Sequence, residues 1–269
     1  MVYYGNQDLM NRQNESFLSP ALSRMPAEAL RVVPLSGVEA QIYARLWRCV
    51  AERKLRPGTK LNESIIGDVF GVSRTVVRKV LNILEQEGVV HLPQNRGAFI
   101  AVLDLSDARS TQEVFAMTVT HLVTQLVHSD VVISDEHRAL LDEHIKVQSE
   151  FDSSGNHDRA LQLRAEFWIL LAGVYGNVLL THLLARLAVR YVLAQSFFDR
   201  SGLLSADARF QSLLIKRIAE KESEKALSMI GEFLGLLRKS LITDRESEDV
   251  DLRSLLSANG GGARSICIN

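Results

Sequence analysis

Cysteine is scarce: Cys49 and Cys267 are the only two in 269 residues. Two cannot build the cross-linked framework of a small secreted domain, so a reducing, cytoplasmic setting is expected. Cys267 lies third from the end, one place off the position of a prenylated cysteine. Proline is also rare, with five in all and none after Pro93, which suits long uninterrupted helices. No run of 18 apolar residues occurs, so neither a transmembrane helix nor a membrane partner is expected. The first 35 residues lack a basic stretch followed by an apolar one, so no secretory leader is expected. A Gly-rich phosphate loop, HExxH and GxSxG are all missing. Carboxylate neighbours such as Asp142 and Glu143 read as a solvated helix face, and the chain is not expected to be an enzyme. Net charge is nearly absent too: 31 Lys and Arg face 32 Asp and Glu, leaving −1.

That neutral total hides an uneven distribution. Residues 1–35 balance three basic against three acidic groups, show no periodicity and read as a flexible N-terminal arm. Residues 36–103 carry a net +4, residues 104–243 a net −3, and residues 244–269 a net −2. The order is therefore arm, basic module, acidic body and flexible acidic tail. Charge asymmetry of this kind points to a nucleic-acid partner.

In the basic module, Val38, Ile42, Leu46 and Val50 recur on one face and predict a helix over 38–54. Arg56-Pro57-Gly58 breaks it. A short helix follows over 61–70, stopped by Gly71. Ser73 is placed to cap a third helix over 74–87, whose apolar stripe is Val76, Val77, Val80, Leu81 and Leu84. Two short strands, 89–92 and 98–101, flank the turn from Pro93 to Gly97. Helix, break, helix, glycine turn, capped helix and hairpin is the order of a winged helix-turn-helix. The start of the third helix offers Ser73, Arg74, Thr75 and Arg78 on its polar side. Hydroxyls, free N–H groups and the positive dipole end suit phosphate, and arginine reads guanine bidentately in the major groove. Arg96, at the hairpin tip, is placed to reach the backbone or the adjacent minor groove.

The string from Pro57-Gly58 through Phe70-Gly71-Val72-Ser73-Arg74-Thr75, Arg78, Leu81 and Leu84 to Asn95-Arg96-Gly97-Ala98 resembles the N-terminal domain of GntR-type bacterial transcription regulators. The resemblance implies operator contacts from Ser73, Arg74, Thr75, Arg78, Asn95, Arg96 and Gly97. Val76 departs from the proline of many members, at a first-turn position where proline is optional.

Beyond Asp104 the pattern predicts helices over about 107–128, 134–152, 157–175, 178–198, 205–219 and 222–242. The expected fold is therefore mainly α: a winged helix-turn-helix, then an antiparallel bundle of about six helices. Phe167, Leu170-Leu171, Tyr175-Gly176-Asn177 and the last two helices make the body similar to the ligand-binding (FCD) domain of the FadR branch of that family.

Many members of that branch hold a divalent metal in the bundle, with an aspartate and three histidines. The resemblance puts those positions at Arg164, Trp168, Gln211 and Phe233, none of which can serve, so no metal and no cofactor is expected. His121 and His128, like His137 and His144, are two turns apart, about 10 Å, too far to share one ion. Arg164 would stand where the family holds a cation, one turn before Trp168, and could bind an acidic effector directly. Thr118 and Leu122 replace an arginine and a glutamate common in the family, so the effector should differ from the usual ones. The effector pocket expected here is Thr118, Arg164, Trp168, Gln211 and Phe233. The expected function is a homodimeric repressor on a palindromic operator in double-stranded DNA, sensing a small carboxylate without a metal. The alternative is a DNA-binding regulator with a filled pocket and no ligand, controlled by its abundance or by a protein partner.

Overall fold

A computed structural model describes residues 19–24, 35, 37–52, 54–198, 207–241 and 252–257. The first module begins with α2 (Val38–Ala51), after a short α1 (Pro20–Ser23). Strand β1 (Lys60–Leu61), α3 (Glu63–Phe70), α4 (Arg74–Gln86), β2 (Val90–His91) and β3 (Ala98–Ile100) complete it. The body is α5 (Leu105–His128), α6 (Asp135–Ser153), α7 (His157–Tyr175), α8 (Val178–Phe198), α9 (Ala208–Ala219) and α10 (Ser223–Lys239). A last helix, α11, spans Leu252–Ser257. The fold is mainly helical with a small wing sheet, as the pattern predicted.

In the module, α2 and α3 pack on α4 because each has one apolar stripe to bury. Ile42, Leu46 and Val50 of α2 meet Val77, Val80, Leu81 and Leu84 of α4 in one core. The approach of α3 to its turn depends on glycine. A Cβ at Gly67 would lie 2.8 Å from the Val72 carbonyl oxygen, and Gly71, at φ 66°, ends the helix in the left-handed region. The sheet order is β1-β3-β2, all antiparallel, with Leu61 opposite Ala98 and Val90 opposite Ile100.

Four expectations are corrected. The second helix starts at Glu63, not 61, because Leu61 is taken into β1 and Asn62 caps α3 by accepting N–H bonds from Ser64 and Ile65 at 3.0 and 3.3 Å. The strand β1 itself was not expected, since two residues carry no alternation to read. Within the supposed arm, Ser19–Ser23 docks on α6 and α7, with Ala21 and Leu22 fully buried. Within the supposed tail, α11 returns to α3 and α2, burying Leu252 and Leu256. The rest of both termini, Cys267 and the Ser201-Gly202 turn lie outside the described residues.

In the body, α8 packs on α5 and α7, α6 on α7, α10 on α5, and α9 on α6 and α10. Asp104 and Asp107 form a reciprocal capping box at the start of α5. Its last turn is closed by Lys221, whose Nζ donates to the carbonyls of Leu126, Ser129 and Val131 at 2.8, 2.7 and 3.0 Å. By length and composition α8 could cross a membrane, although charged and polar residues interrupt its apolar run. Half of its apolar window is buried in the protein, with Leu184, Val192 and Leu193 fully enclosed, as in the core helix of a bundle.

The two parts meet where α8 packs on α2, beside the end of α4. There the buried Tyr43 hydroxyl donates to Glu87 Oε2 at 2.8 Å. Burial pushes the Glu87 carboxyl up to about 7, although the Tyr43 hydrogen bond and the charge of Arg186 pull it down. A raised carboxyl binds its proton more tightly in the fold than in the unfolded chain. Its stabilising effect is complete below the ordinary 4.5 and is lost as pH rises to about 7. Glu87→Gln keeps an acceptor for Tyr43 and removes the charge. Urea unfolding should show it about 1–3 kcal/mol more stable than wild type at pH 8, with little difference at pH 4. Equal stabilities at pH 8 would refute this.

Candidate nucleic-acid interface and bundle interior

Helix α4 is amphipathic in the extreme. Its inner face is closed by the module core, and its outer face exposes Ser73, Arg74, Thr75 and Arg78 together at the N-terminal turn. Ser73 holds the cap position with extended backbone, yet its side chain makes no capping bond. The hydroxyl and the first N–H groups of α4 thus point outward, where a phosphate oxygen could take both. Arg74 makes no hydrogen bond or ion pair among the described residues. Arg78 is held across the turn by Glu63, Nη1 to Oε1 at 3.2 Å, with 61% of its side chain exposed. This pair fixes the direction of Arg78 at small energetic gain.

The wing tip is built by backbone strain that only certain residues tolerate. Asn95 sits at φ 59° and Gly97 at φ 87°, and the Arg96 N–H donates to the Pro93 carbonyl at 3.2 Å. Asn95, Arg96 and Gly97 are all exposed. All seven residues expected to meet DNA therefore lie at the surface, at the start of α4 and the tip of the wing.

The bundle interior differs from the pocket expected there. Trp168 and Phe233 are buried and stack on each other, centroids 5.9 Å apart. Phe115, Phe167 and Phe210 continue the cluster at 6.4, 5.1 and 5.3 Å, and Tyr191 stacks on Phe115 at 4.3 Å. The Thr118 hydroxyl is spent within its own helix, donating to the Val114 carbonyl at 2.7 Å. Arg164 and Gln211 do come into one constellation, through residues that the sequence did not single out. Gln211 Nε2 donates to Gln148 Oε1 at 2.7 Å, Gln148 Nε2 to Asp152 Oδ2 at 3.5 Å, and Arg164 Nη2 to Asp152 Oδ1 at 2.7 Å. The positive charge of Arg164 is thus balanced from within by Asp152. The place expected to take an effector carboxylate already has one.

Next to this chain lies a second polar group that was not foreseen. Ser19 donates its N–H to Glu166 Oε2 at 2.8 Å, and its hydroxyl meets His144 Nδ1 at 2.8 Å. Gln162 Nε2 donates to Glu166 Oε1 at 2.8 Å. Ser19 and His144 are fully buried. On the sequence, His144, Gln148 and Asp152 sit four apart on one face of a polar helix, which reads as solvated until the partner at Ser19 is known. Among the described residues, no group of three or more His, Cys, Asp or Glu has a metal-binding arrangement.

Comparison with known proteins bears on the first module most directly. Residues 38–100 match the family of bacterial regulatory proteins named gntR. The uncharacterized HTH-type transcriptional regulator YdhC of Bacillus subtilis is 24% identical over 145 residues, 54% of this chain and 63% of that one. The HTH-type transcriptional repressor RspR of Escherichia coli K12 is 30% identical over 77 residues, 29% of this chain and 34% of that one. The chain thus spans less than two thirds of the length of either relative. Among solved structures, McbR/YncC of E. coli superposes with a TM-score of 0.61 over 76% of this chain and 96% of that one, at 15% identity. At that identity the likeness shows a shared fold, and it extends well beyond the winged module.

Two expectations follow from the bundle interior. Arg164→Met should destabilise the protein by about 1–3 kcal/mol in urea unfolding, since Asp152 is left half-buried without its cation. In an Asp152→Asn background the same change should cost clearly less, and strict additivity would show that the pair is not coupled. Burial pushes the His144 imidazole down to about 4, against a hydrogen bond with the Leu163 backbone. A depressed histidine stabilises the fold above its ordinary 6.5, and that contribution is lost as pH falls towards 4. His144→Gln should therefore lose less stability between pH 7 and pH 4 than wild type, by about 2–3 kcal/mol. A stability profile unchanged in that variant would contradict the assignment.

Proposed function

We propose, from a gntR-family winged helix-turn-helix at residues 38–100, that the whole chain is a sequence-specific DNA-binding transcription regulator acting as a repressor. The observation that carries this reading is the outer face of α4, where Ser73, Arg74, Thr75 and Arg78 are exposed together above a fully closed core. In this reading α4 enters the major groove, Arg74 and Arg78 meet base edges and phosphates, and Asn95, Arg96 and Gly97 follow the backbone beside it. Repression is favoured by the likeness of this segment to RspR, which is described as a repressor. The helical body is read as the FCD domain of the FadR branch. It also supports a homodimer on a palindromic site. Helix α5 exposes Val114 and Met117, and its neighbour α10 exposes Leu236, an apolar surface that a second copy could cover.

A specific observation bears on the sensing part. Trp168 and Phe233 stack within the bundle and Arg164 is paired with Asp152. This favours a filled bundle centre over a carboxylate pocket at Thr118, Arg164, Trp168, Gln211 and Phe233.

The test is Arg74→Ala on the operator selected from random DNA. Specific affinity should fall by about 1–3 kcal/mol, roughly tenfold to a hundredfold, with thermal stability unchanged. The wild-type protein should lose affinity steeply with added salt. An unaltered footprint and affinity for Arg74→Ala would overturn the placement of α4.

A further inference from the structure

The filled bundle centre leaves open where a signal could enter, and the cleft between the two parts offers a place. It has a volume of about 600 Å³ and runs between the wing and helices α5 and α8. Its lining combines Gly88, at the end of α4, with Arg190 of α8, Glu85, Asp107 and His91; Phe99 and Val102 add apolar surface. This size is ordinary for a small-molecule site, and walls drawn from two modules are a common setting for one.

Gly88 makes the site possible. It lies at φ 76°, and a Cβ there would meet the Arg190 guanidinium at 3.2–3.4 Å. The bare backbone lets the guanidinium lie flat against the chain at the cleft wall. Among the described residues, Arg190 makes no hydrogen bond or ion pair. The two carboxylates are each half used. Glu85 Oε1 accepts the Leu92 N–H at 2.9 Å, and Asp107 Oδ2 accepts the Asp104 N–H at 3.3 Å. The second oxygen of each has no partner among the described residues. Neither carboxylate is within ion-pair reach of Arg190, so both signs of charge face the same cavity unneutralised. Val102, 71% exposed, lies at its open edge.

We propose that this cleft binds a small zwitterion with an apolar body, of the class of an apolar amino acid or dipeptide. The ligand carboxylate lies on the Arg190 guanidinium, its ammonium faces Glu85 and Asp107, and its hydrocarbon covers Phe99 and Val102. The charge balance selects this class. A plain anion would meet two carboxylates for one arginine, and a plain amine would leave the arginine unanswered. Because the walls belong to both modules, the ligand ties the end of α4 to α8 and biases the angle at which α4 is presented. DNA and ligand affinities must then shift each other by the same factor. This inference rests on the regulator reading for its consequence, while the site itself stands on the cleft alone.

The experiment is calorimetric titration of the full chain, without DNA, with L-leucine, L-phenylalanine and leucyl-leucine up to about 10 mM, the weak end of small-ligand affinity. At least one of these should bind. N-acetyl-leucine, lacking the ammonium, and leucinamide, lacking the carboxylate, should bind about tenfold more weakly or not at all. Arg190→Gln should weaken binding about tenfold with unfolding unchanged. Glu85→Gln, which keeps an acceptor for Leu92, should weaken it several-fold. No binding by any zwitterion, equal binding of N-acetyl-leucine, or full affinity in Arg190→Gln would each overturn the proposal. Operator binding by the ligand-free protein is measured separately, so a failed regulator reading would not be mistaken for a failed site.

Discussion

Everything in the first module depends on burying one face of α4. Val77, Val80, Leu81 and Leu84 must leave water, and α2, α3 and the wing are arranged to cover them. At about 1.5–3 kcal/mol for each large apolar side chain enclosed, this stripe outweighs any surface ion pair nearby. It therefore fixes the rotation of α4 about its own axis. With the rotation fixed, Arg74 and Arg78 have no choice but the outer face. The exposure of these arginines is thus a by-product of core packing, and the weak Arg78–Glu63 pair only trims the aim of one side chain.

The body obeys a different constraint, the neutralisation of charge away from water. Arg164 is largely enclosed, and an enclosed cation needs a carboxylate close by. Asp152 supplies it, and Gln148 and Gln211 continue the chain, so three helices are stitched by side chains. The hydrogen-bonded chain thus cross-links α6, α7 and α9. It carries no open coordination position, which is why it suits a structural role better than a receptive one. The Ser19, His144 and Glu166 group extends the same logic to a segment far away in sequence.

Legibility in the sequence followed the range of the interactions involved. The long helices of the body were read to within about three residues, because their apolar spacing is written locally and repeated over several turns. The start of α4 was read correctly, since a serine cap, two arginines and a stripe lie within a dozen residues. β1 was not, because Lys60 and Leu61 form a strand only by pairing with Phe99 and Ala98. Arg164 stands out in the sequence as an unusual cation, but its partner Asp152 lies on another helix with a polar surround that looks like surface. The docked Ser19–Ser23 segment was read as arm for a related reason. A serine, a proline, an alanine and a leucine announce nothing until a buried histidine and glutamate stand opposite.

The helix α8 joins these two constraints. Its inner face, with Leu184, Val192 and Leu193, is core to the bundle and cannot rotate without opening it. Its outer face therefore has a fixed bearing, and along it Arg186 stands near Glu87 while Arg190 lies against Gly88. Residues 87 and 88 terminate α4, so a core helix of the body touches the end of the helix that the module is built around. A rigid rod of 13 residues transmits any tilt at its end directly to its start, where Arg74, Thr75 and Arg78 are exposed. The contact at Gly88 is made by a side chain without a hydrogen bond or ion pair among the described residues, across a glycine that adds no bulk. Such a junction is cheap to rearrange, in contrast with the packed stripe of α4 and the bundle core on either side. At the joint between two stiff bodies, small energies thus decide the angle.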